Sequence, residues 1–188
     1  MEQSHEMIIA GFGGQGVLSM GQIIAYAAMK EGKEISWMPA YGPEMRGGTA
    51  NCIVIVSPAN VSSPIVTSFD AGIILNQPSL DKFANAIKPN GLMICEESTI
   101  TNPCTRTDIE ILTIPATVRA TEMGKRQVAN MILLGAFLER RPIVSEKNVL
   151  LALREVLPER HHHLLPLNNE ALQLGKSLAA EEVGSHHV

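Results

Sequence analysis

The sequence predicts an α/β fold: a single domain over residues 1–188 with a mostly parallel twisted sheet and helices on both faces. Short apolar runs alternate with helical segments, which is the pattern of strands buried in a parallel sheet. A chain of 188 residues fits one domain, and no repeat or low-complexity linker divides it. Apolar residues make up 45% of the chain and aromatic residues only 4%, so aliphatic residues and Met should form the core.

The first predicted unit consists of a strand, a turn, a helix and a second strand. Residues 7–10 are a short apolar run, and residues 35–38 form the next strand. Between them, apolar residues recur at helical spacing from Val17 until Gly32 stops the helix. The segment GFGGQG at residues 11–16 matches G-x-G-x-x-G, directly after a strand and at the start of a helix. That context predicts a Rossmann-like arrangement.

Strands and helices continue to alternate along the rest of the chain. Further strands are predicted at residues 50–56, 71–75, 92–95 and 110–114. Helices are predicted to begin at Ser79, near Val128, after Ser145 and after Asn168 or Asn169. The segment PNG at residues 89–91 is predicted to be a turn.

The glycine turn predicts a site for an anion. Glycines allow a close approach of ligand to backbone, and the first N–H groups of a helix attract negative charge. Dinucleotide sites place an acid after the second strand, but Trp37 and Met38 are followed by no acid here. Three interpretations stay open: a dinucleotide, tight packing of strand on helix, or another anion such as a phosphate of coenzyme A or a partner's carboxylate. The polar amide of Gln15 is not needed for packing alone.

A second loop, residues 39–48, contains an Arg in a frame of Pro and Gly residues. The guanidinium of Arg46 suits a carboxylate or a phosphate. A surface pair between Arg46 and Glu44 is the alternative, although such pairs need no rigid glycine frame. Because the loop follows the second strand, it should lie at the same sheet edge as the glycine turn.

Together, GFGGQG at residues 11–16 and YGPEMRGG at residues 41–48 resemble the gamma subunit of 2-oxoacid:ferredoxin oxidoreductases. The segment NQPS at residues 76–79 and the apolar helix near residues 130–138 also resemble that family. The resemblance favours the 2-oxoglutarate type, and the ketoisovalerate and pyruvate types stay open.

The resemblance implies a role inside a larger complex. Such complexes carry out the coenzyme A-dependent oxidative decarboxylation of a 2-oxoacid to acyl-CoA and CO2, and pass electrons to ferredoxin. Thiamine diphosphate, Mg²⁺ and an iron–sulfur cluster are expected in the partner alpha, beta and ferredoxin-like delta subunits, and the gamma chain is not expected to be active alone. In this chain the resemblance implies a contact with coenzyme A and no catalytic residue. The candidate residues for that contact are Gly11, Gly13, Gly14, Gln15, Gly16, Glu44, Arg46 and Gly47.

The cysteines and histidines do not predict a metal site. Cys52, Cys95 and Cys104 are too few for a four-cysteine cluster and form no C-x-x-C. Cys52 and Cys95 lie on predicted strands and are expected to be core thiols. The run His161–His163 is expected in a solvated loop, because adjacent side chains point in different directions.

Composition and charge count against several other classes. The formal net charge is -4 and no basic run occurs, so no nucleic-acid partner is expected. No segment reaches the roughly 18 apolar residues that a membrane span needs. The polar, acidic start does not resemble a signal peptide, which favours a cytoplasmic location.

Two other functions stay open. An independent dinucleotide-dependent oxidoreductase would use the glycine turn for NADH or FAD, but the acid expected after the second strand is missing. A non-catalytic assembly module would bind partner subunits and no ligand of its own.

Overall fold

Residues 4–42, 48–59 and 66–182 are described by the computed structural model. Within these residues, the strands are β1 His5–Phe12, β2 Glu34–Tyr41, β3 Thr49–Ser57, β4 Phe69–Ile74, β5 Ile87–Glu96 and β6 Glu110–Ile114. The helices are α1 Val17–Lys30, α2 Gln77–Phe83, α3 Ala116–Glu122, α4 Ala129–Arg140, α5 Glu146–Val156 and α6 Leu165–Glu182. Each strand predicted from the sequence is present.

The described strands form one sheet in the order β2-β3-β1-β4-β5-β6. The pairings β1 with β4, β4 with β5, and β5 with β6 are parallel. Strand β3 runs antiparallel to both of its neighbours, β1 and β2. The mostly parallel sheet is therefore confirmed, but the predicted strand–helix–strand unit does not join adjacent strands. Because the chain reverses after β2, β3 lies between β1 and β2.

Alternating side chains of the strands build a core on each face of the sheet. Met7 and Ile9 of β1 join the larger core under α1, α3, α4, α5 and α6. Ile8 and Ala10 join a smaller core, which contains Leu80 of α2 and the segment after β5. Helices cover both faces as predicted, with most of them on one face.

Helix α4 is buried on several sides, as its apolar sequence predicts. Its residues 131–138 are all buried. Gly135 of α4 and Gly175 of α6 let the two helices meet at their backbones, because a Cβ atom at either would collide with a backbone carbonyl oxygen of the other helix. This close packing fixes α4, whose first residues approach the glycine turn.

Two predictions at the start of β5 and α2 are wrong. Asn76, not Ser79, caps α2, since its Oδ1 accepts the backbone N–H of Ser79 at 2.9 Å. The predicted PNG turn is a bulge inside β5 rather than a connection between elements. Asn90 there has φ 63, and the pairing with β4 shifts register across the bulge.

Two helix starts near the end of the chain also differ from prediction. Helix α6 begins at Leu165, and Asn168 lies inside it with its Nδ2 donating to Leu164 O at 2.8 Å. Ser145 precedes α5 as predicted, but its side chain makes no capping hydrogen bond. Its backbone N–H donates instead to Glu31 Oε1 at 2.6 Å. A carboxylate distant in sequence thus holds the residue that precedes α5.

Candidate functional site

Packing explains two of the glycines in the turn between β1 and α1. A Cβ atom on Gly11 would lie 2.6 Å from Gln15 Oε1 and 2.8 Å from Leu75 Cβ. Gly16 has φ 78, and its Cβ atom would lie 2.5 Å from Asn130 Nδ2. The packing interpretation is therefore correct for the positions at the two ends of the turn.

The two central glycines have no close neighbour among the described residues. A Cβ atom on Gly13 would lie in ordinary van der Waals contact with Gly48 O at 3.8 Å, and none of the described residues has an atom within 4 Å of a Cβ on Gly14. Gly14 has φ 90, which favours glycine, whereas Gly13 has no positive φ. Side chains of the described residues therefore do not require glycine at these positions, which suits a surface that a ligand or partner approaches closely.

The described ends of the second loop reach the glycine turn, as the sequence predicts. Gly13 donates its backbone N–H to Gly48 O at 3.0 Å, and Gly42 donates to Thr49 O at 2.7 Å. Both loops therefore leave the sheet at the same edge. The predicted residues Glu44, Arg46 and Gly47, however, lie outside the described residues.

Gln15 holds the turn together. Its Oε1 accepts the backbone N–H of Phe12 at 2.6 Å, and its Nε2 lies 3.4 Å from Leu75 O. Both ends of the amide therefore have partners within the protein. Gln15 shapes the turn first, and any contact with a ligand comes in addition to that role.

A cleft of about 320 Å³ opens beside the glycine turn, at the carboxyl ends of β1, β4 and β5. After β1 the chain passes to a helix on one face of the sheet, and after β4 it passes to a helix on the other. Ligands of open α/β sheets bind in crevices at such a point. The cleft is lined by Gly13, Gly14, Gln15, Leu75, Glu96, Thr117, Arg126, Gln127, Ala129 and Leu133.

Glu96, at the floor of this cleft, is a residue that the sequence analysis missed. It is only 2% exposed. Its Oε1 accepts the backbone N–H of Thr117 at 3.0 Å, and its Oε2 accepts the hydroxyl of Ser98 at 2.8 Å. The sequence feature that could identify it is its position as the last residue of a buried strand, because ligands bind at that edge of the sheet.

The start of α1 is favourable to negative charge. This fully described helix has no side-chain cap and no acidic residue in its first turn. Its first N–H groups and the positive end of its dipole therefore attract anions. Arg126, on the wall of the same cleft, adds a cation. The arrangement suits a phosphate or carboxylate at the glycine turn.

Comparison with known proteins identifies the family. A model of the pyruvate ferredoxin/flavodoxin oxidoreductase family matches residues 6–178. The chain belongs to this family. The resemblance seen in the sequence is confirmed, and the glycine turn and the cleft lie within the matched region.

Relatives in this family differ in how much of their length the chain matches. The ketoisovalerate oxidoreductase subunit VorA of Methanothermobacter thermautotrophicus is 44% identical over 130 residues, 69% of this chain, but the chain spans only 27% of VorA. The 2-oxoglutarate synthase subunit KorC of the same organism is 31% identical, with 96% of this chain and 98% of KorC covered.

Solved structures of family members share the fold. The gamma subunit of a keto/oxoacid ferredoxin oxidoreductase from Geobacter sulfurreducens has a TM-score of 0.80 at 28% identity, with 94% of this chain and 99% of that chain covered. A 2-oxoglutarate:ferredoxin oxidoreductase from Magnetococcus marinus, with 2-oxoglutarate, coenzyme A and succinyl-CoA bound, has a TM-score of 0.87 at 26% identity. The match covers 96% of this chain and 32% of that one.

None of the three cysteines lines the cleft beside the glycine turn. Cys52 is in the larger core and Cys95 in the smaller one. Burial raises the pKa of each thiol to about 12, so both stay protonated at neutral pH. Cys104 is partly exposed. Among the residues that the structure describes, no group of His, Cys, Asp and Glu is arranged to hold a metal ion.

The histidine run differs from its prediction. It lies in a 3₁₀ turn, Glu159–Leu164, rather than in a solvated loop. His162 Nε2 lies 2.9 Å from Arg154 O and 3.0 Å from Leu157 O, so this ring contacts the end of α5. None of the helices in the described ranges has the length and apolar character needed to cross a membrane.

Proposed function

We propose that this chain is the gamma-type subunit of a multi-subunit 2-oxoacid:ferredoxin oxidoreductase. In that complex it supports coenzyme A-dependent oxidative decarboxylation to acyl-CoA and CO2, with electrons passed to ferredoxin, and it is not active alone. The observation that carries this proposal is the hydrogen bond from Gly13 to Gly48, which brings the described ends of the two loops together beside the cleft in a chain of this family. Both the glycine turn and the described ends of the second loop lie at the edge of the sheet where ligands of such folds bind.

The proposed substrate of the complex is 2-oxoglutarate. KorC matches the chain over nearly the full length of both proteins, whereas the more identical VorA is a much longer chain. The substrate pocket of such a complex need not lie in this subunit. To propose the substrate, we therefore give more weight to a match over the full length of both chains than to higher identity over 130 residues.

Coenzyme A is the proposed ligand of the glycine turn. The lack of close described neighbours at Gly13 and Gly14, the uncapped start of α1 and Arg126 fit an anionic phosphate. When bound, coenzyme A supplies the thiol that accepts the acyl group. The residues of this chain bind and orient it, and we propose none as an acid, base or nucleophile.

The redox and decarboxylation chemistry is proposed for the partner alpha, beta and ferredoxin-like delta subunits, which would hold thiamine diphosphate, Mg²⁺ and an iron–sulfur cluster. Three cysteines in the whole chain, with Cys52 and Cys95 buried in different cores, do not fit a four-cysteine cluster. Ferredoxin would therefore meet this subunit only indirectly.

The experiment is a comparison of Arg46→Ala with wild type in the assembled complex, with exposed Arg154→Ala as a matched control. We expect the KM for coenzyme A to rise roughly tenfold in Arg46→Ala, because a charge-assisted contact to phosphate is lost. The complex should stay intact, and 2-oxoglutarate should be preferred to 2-oxoisovalerate and pyruvate. An unchanged dependence on coenzyme A would favour an assembly module, and tight NADH or FAD binding by the isolated chain would favour a dinucleotide enzyme.

A further inference from the structure

One backbone carbonyl connects the glycine turn to the floor of the cleft. Leu75 O, at the end of β4, lies 3.4 Å from Gln15 Nε2 and 2.7 Å from Thr99 Oγ1. A carbonyl oxygen has two lone pairs and can accept both donors. Because Gln15 also accepts the backbone N–H of Phe12 at 2.6 Å, the hydrogen bonds run without a break from the glycine turn to Thr99.

The turn that carries Thr99 is fixed on its other side by Glu96. Ser98, its neighbour, donates to Glu96 Oε2 at 2.8 Å, and Glu96 Oε1 accepts from the first turn of α3 at Thr117. The 3₁₀ turn Glu97–Thr99 therefore joins the glycine turn to the opposite wall of the cleft, where α3 begins.

The hydroxyl of Thr99 has one hydrogen and three acceptors in reach. Leu75 O lies at 2.7 Å, Glu96 Oε2 at 3.0 Å and Glu96 O at 3.4 Å. The shorter distance assigns the hydrogen to Leu75 O, while Ser98 already serves Glu96 Oε2. Without this hydroxyl, the longer contact with Gln15 is the one that Leu75 O would keep among the described residues.

We propose that Thr99 is a positioning residue for the glycine turn. It does not line the cleft, so it acts through Leu75 and Gln15, which hold Gly13 and Gly14 in place for a ligand. The effect on coenzyme A rests on the function proposed above. The effect of Thr99 on the order of the glycine turn does not rest on that function, because it follows from the hydrogen bonds alone.

The test is Thr99→Val in the full chain within its assembled complex, with Thr99→Ser as the conservative variant. Thr113→Val is the matched control, since Thr113 is an exposed strand residue. Hydrogen–deuterium exchange of the peptide covering residues 11–18 should rise roughly tenfold in Thr99→Val, and Thr99→Ser should stay close to wild type. The KM for coenzyme A should rise several-fold, with kcat changed by less than about twofold.

The two measurements separate the two proposals. Faster exchange with an unchanged KM supports the positioning role and contradicts the coenzyme A contact. Exchange in Thr99→Val no faster than in Thr113→Val overturns the positioning role, whatever the KM does. Should Thr99→Val fail to assemble, Thr99→Ala takes its place, because it also removes the hydroxyl that donates to Leu75 O; the same increase in exchange is then expected.

Discussion

Gly13 donates its backbone N–H to the carbonyl oxygen of Gly48 at 3.0 Å. The two residues are far apart in sequence, and each belongs to a loop that leaves the sheet at its carboxyl edge. The bond uses the backbone only, so a side chain at residue 13 is not needed to form it. A side chain added at residue 13 therefore tests ligand binding while leaving this hydrogen bond of the fold in place.

Gly13→Ala should fold normally and bind ligand poorly. Among the described residues, the atom nearest to a Cβ there is 3.8 Å away, so the melting temperature should change by less than about 2 °C. The added methyl group stands where a ligand would approach the backbone, so the KM for coenzyme A in the complex should rise roughly tenfold. Gly11→Ala is the contrasting variant: its Cβ meets atoms at 2.6 and 2.8 Å, and it should lose stability.

Gly16→Ala should destabilise the chain by about 2–3 kcal/mol. The substitution combines a left-handed backbone, φ 78, with a Cβ atom 2.5 Å from Asn130 Nδ2. The double variant Gly16→Ala with Asn130→Ala removes the two shortest contacts, with Asn130 Nδ2 and Cγ, but leaves the backbone strain and a 3.1 Å contact with the Cβ of residue 130. Urea denaturation should show that the double variant loses less stability than the sum of the losses of the two single variants. Strictly additive losses would disprove the collision.

Glu31 should contribute stability that depends on pH. Burial alone would raise its pKa, but hydrogen bonds from Lys33, Ser145 and Asn148 lower it to about 2. Because the folded pKa is below the unfolded value, the contribution is complete at neutral pH and is lost as the pH falls from about 4.5 to 2.

Urea denaturation measures this contribution in Glu31→Gln. The variant should be less stable than wild type by about 2 kcal/mol at pH 7, and the difference should shrink by about half at pH 3. Glu155→Gln is the control, because Glu155 pairs with Lys30 on an exposed surface and should cost less than about 0.5 kcal/mol. A difference for Glu31→Gln that does not depend on pH would contradict this explanation.

The three cysteines should react at different rates. Cys52 and Cys95 are buried thiols whose pKa is about 12, whereas Cys104 is partly exposed. With iodoacetamide at pH 8, peptide mapping should find Cys104 modified roughly 100-fold faster than the others. In urea all three should react alike. Rapid modification of Cys95 in the native chain would show that the smaller core is open.

The sequence predicts the strands well because each is a short apolar run between turn signals, as at residues 71–75. It does not predict that β3 lies between β1 and β2, because strand order depends on long-range pairing that local patterns do not encode. The capping errors have the same origin. Asn76 and Ser79 are both good caps by type, and only the geometry of α2 decides between them.

The site was predicted in part. The motif GFGGQG locates the glycine turn, but it does not show that Gly11 and Gly16 serve packing while Gly13 and Gly14 have no close neighbour among the described residues. That distinction depends on Leu75 and Asn130, which are distant in sequence. The sequence alone does not indicate Glu96 as a cleft residue, because an acid at the end of a strand lies beside a cleft only if the neighbouring strands place it there.

The most direct test of the account is reconstitution. The purified chain and the complex assembled with its partner subunits are each supplied with 2-oxoglutarate, coenzyme A and thiamine diphosphate, and reduction of ferredoxin is followed. The account predicts no reduction by the chain alone and coenzyme A-dependent reduction by the complex. Reduction by the isolated chain, or full activity of a complex lacking it, would contradict the account.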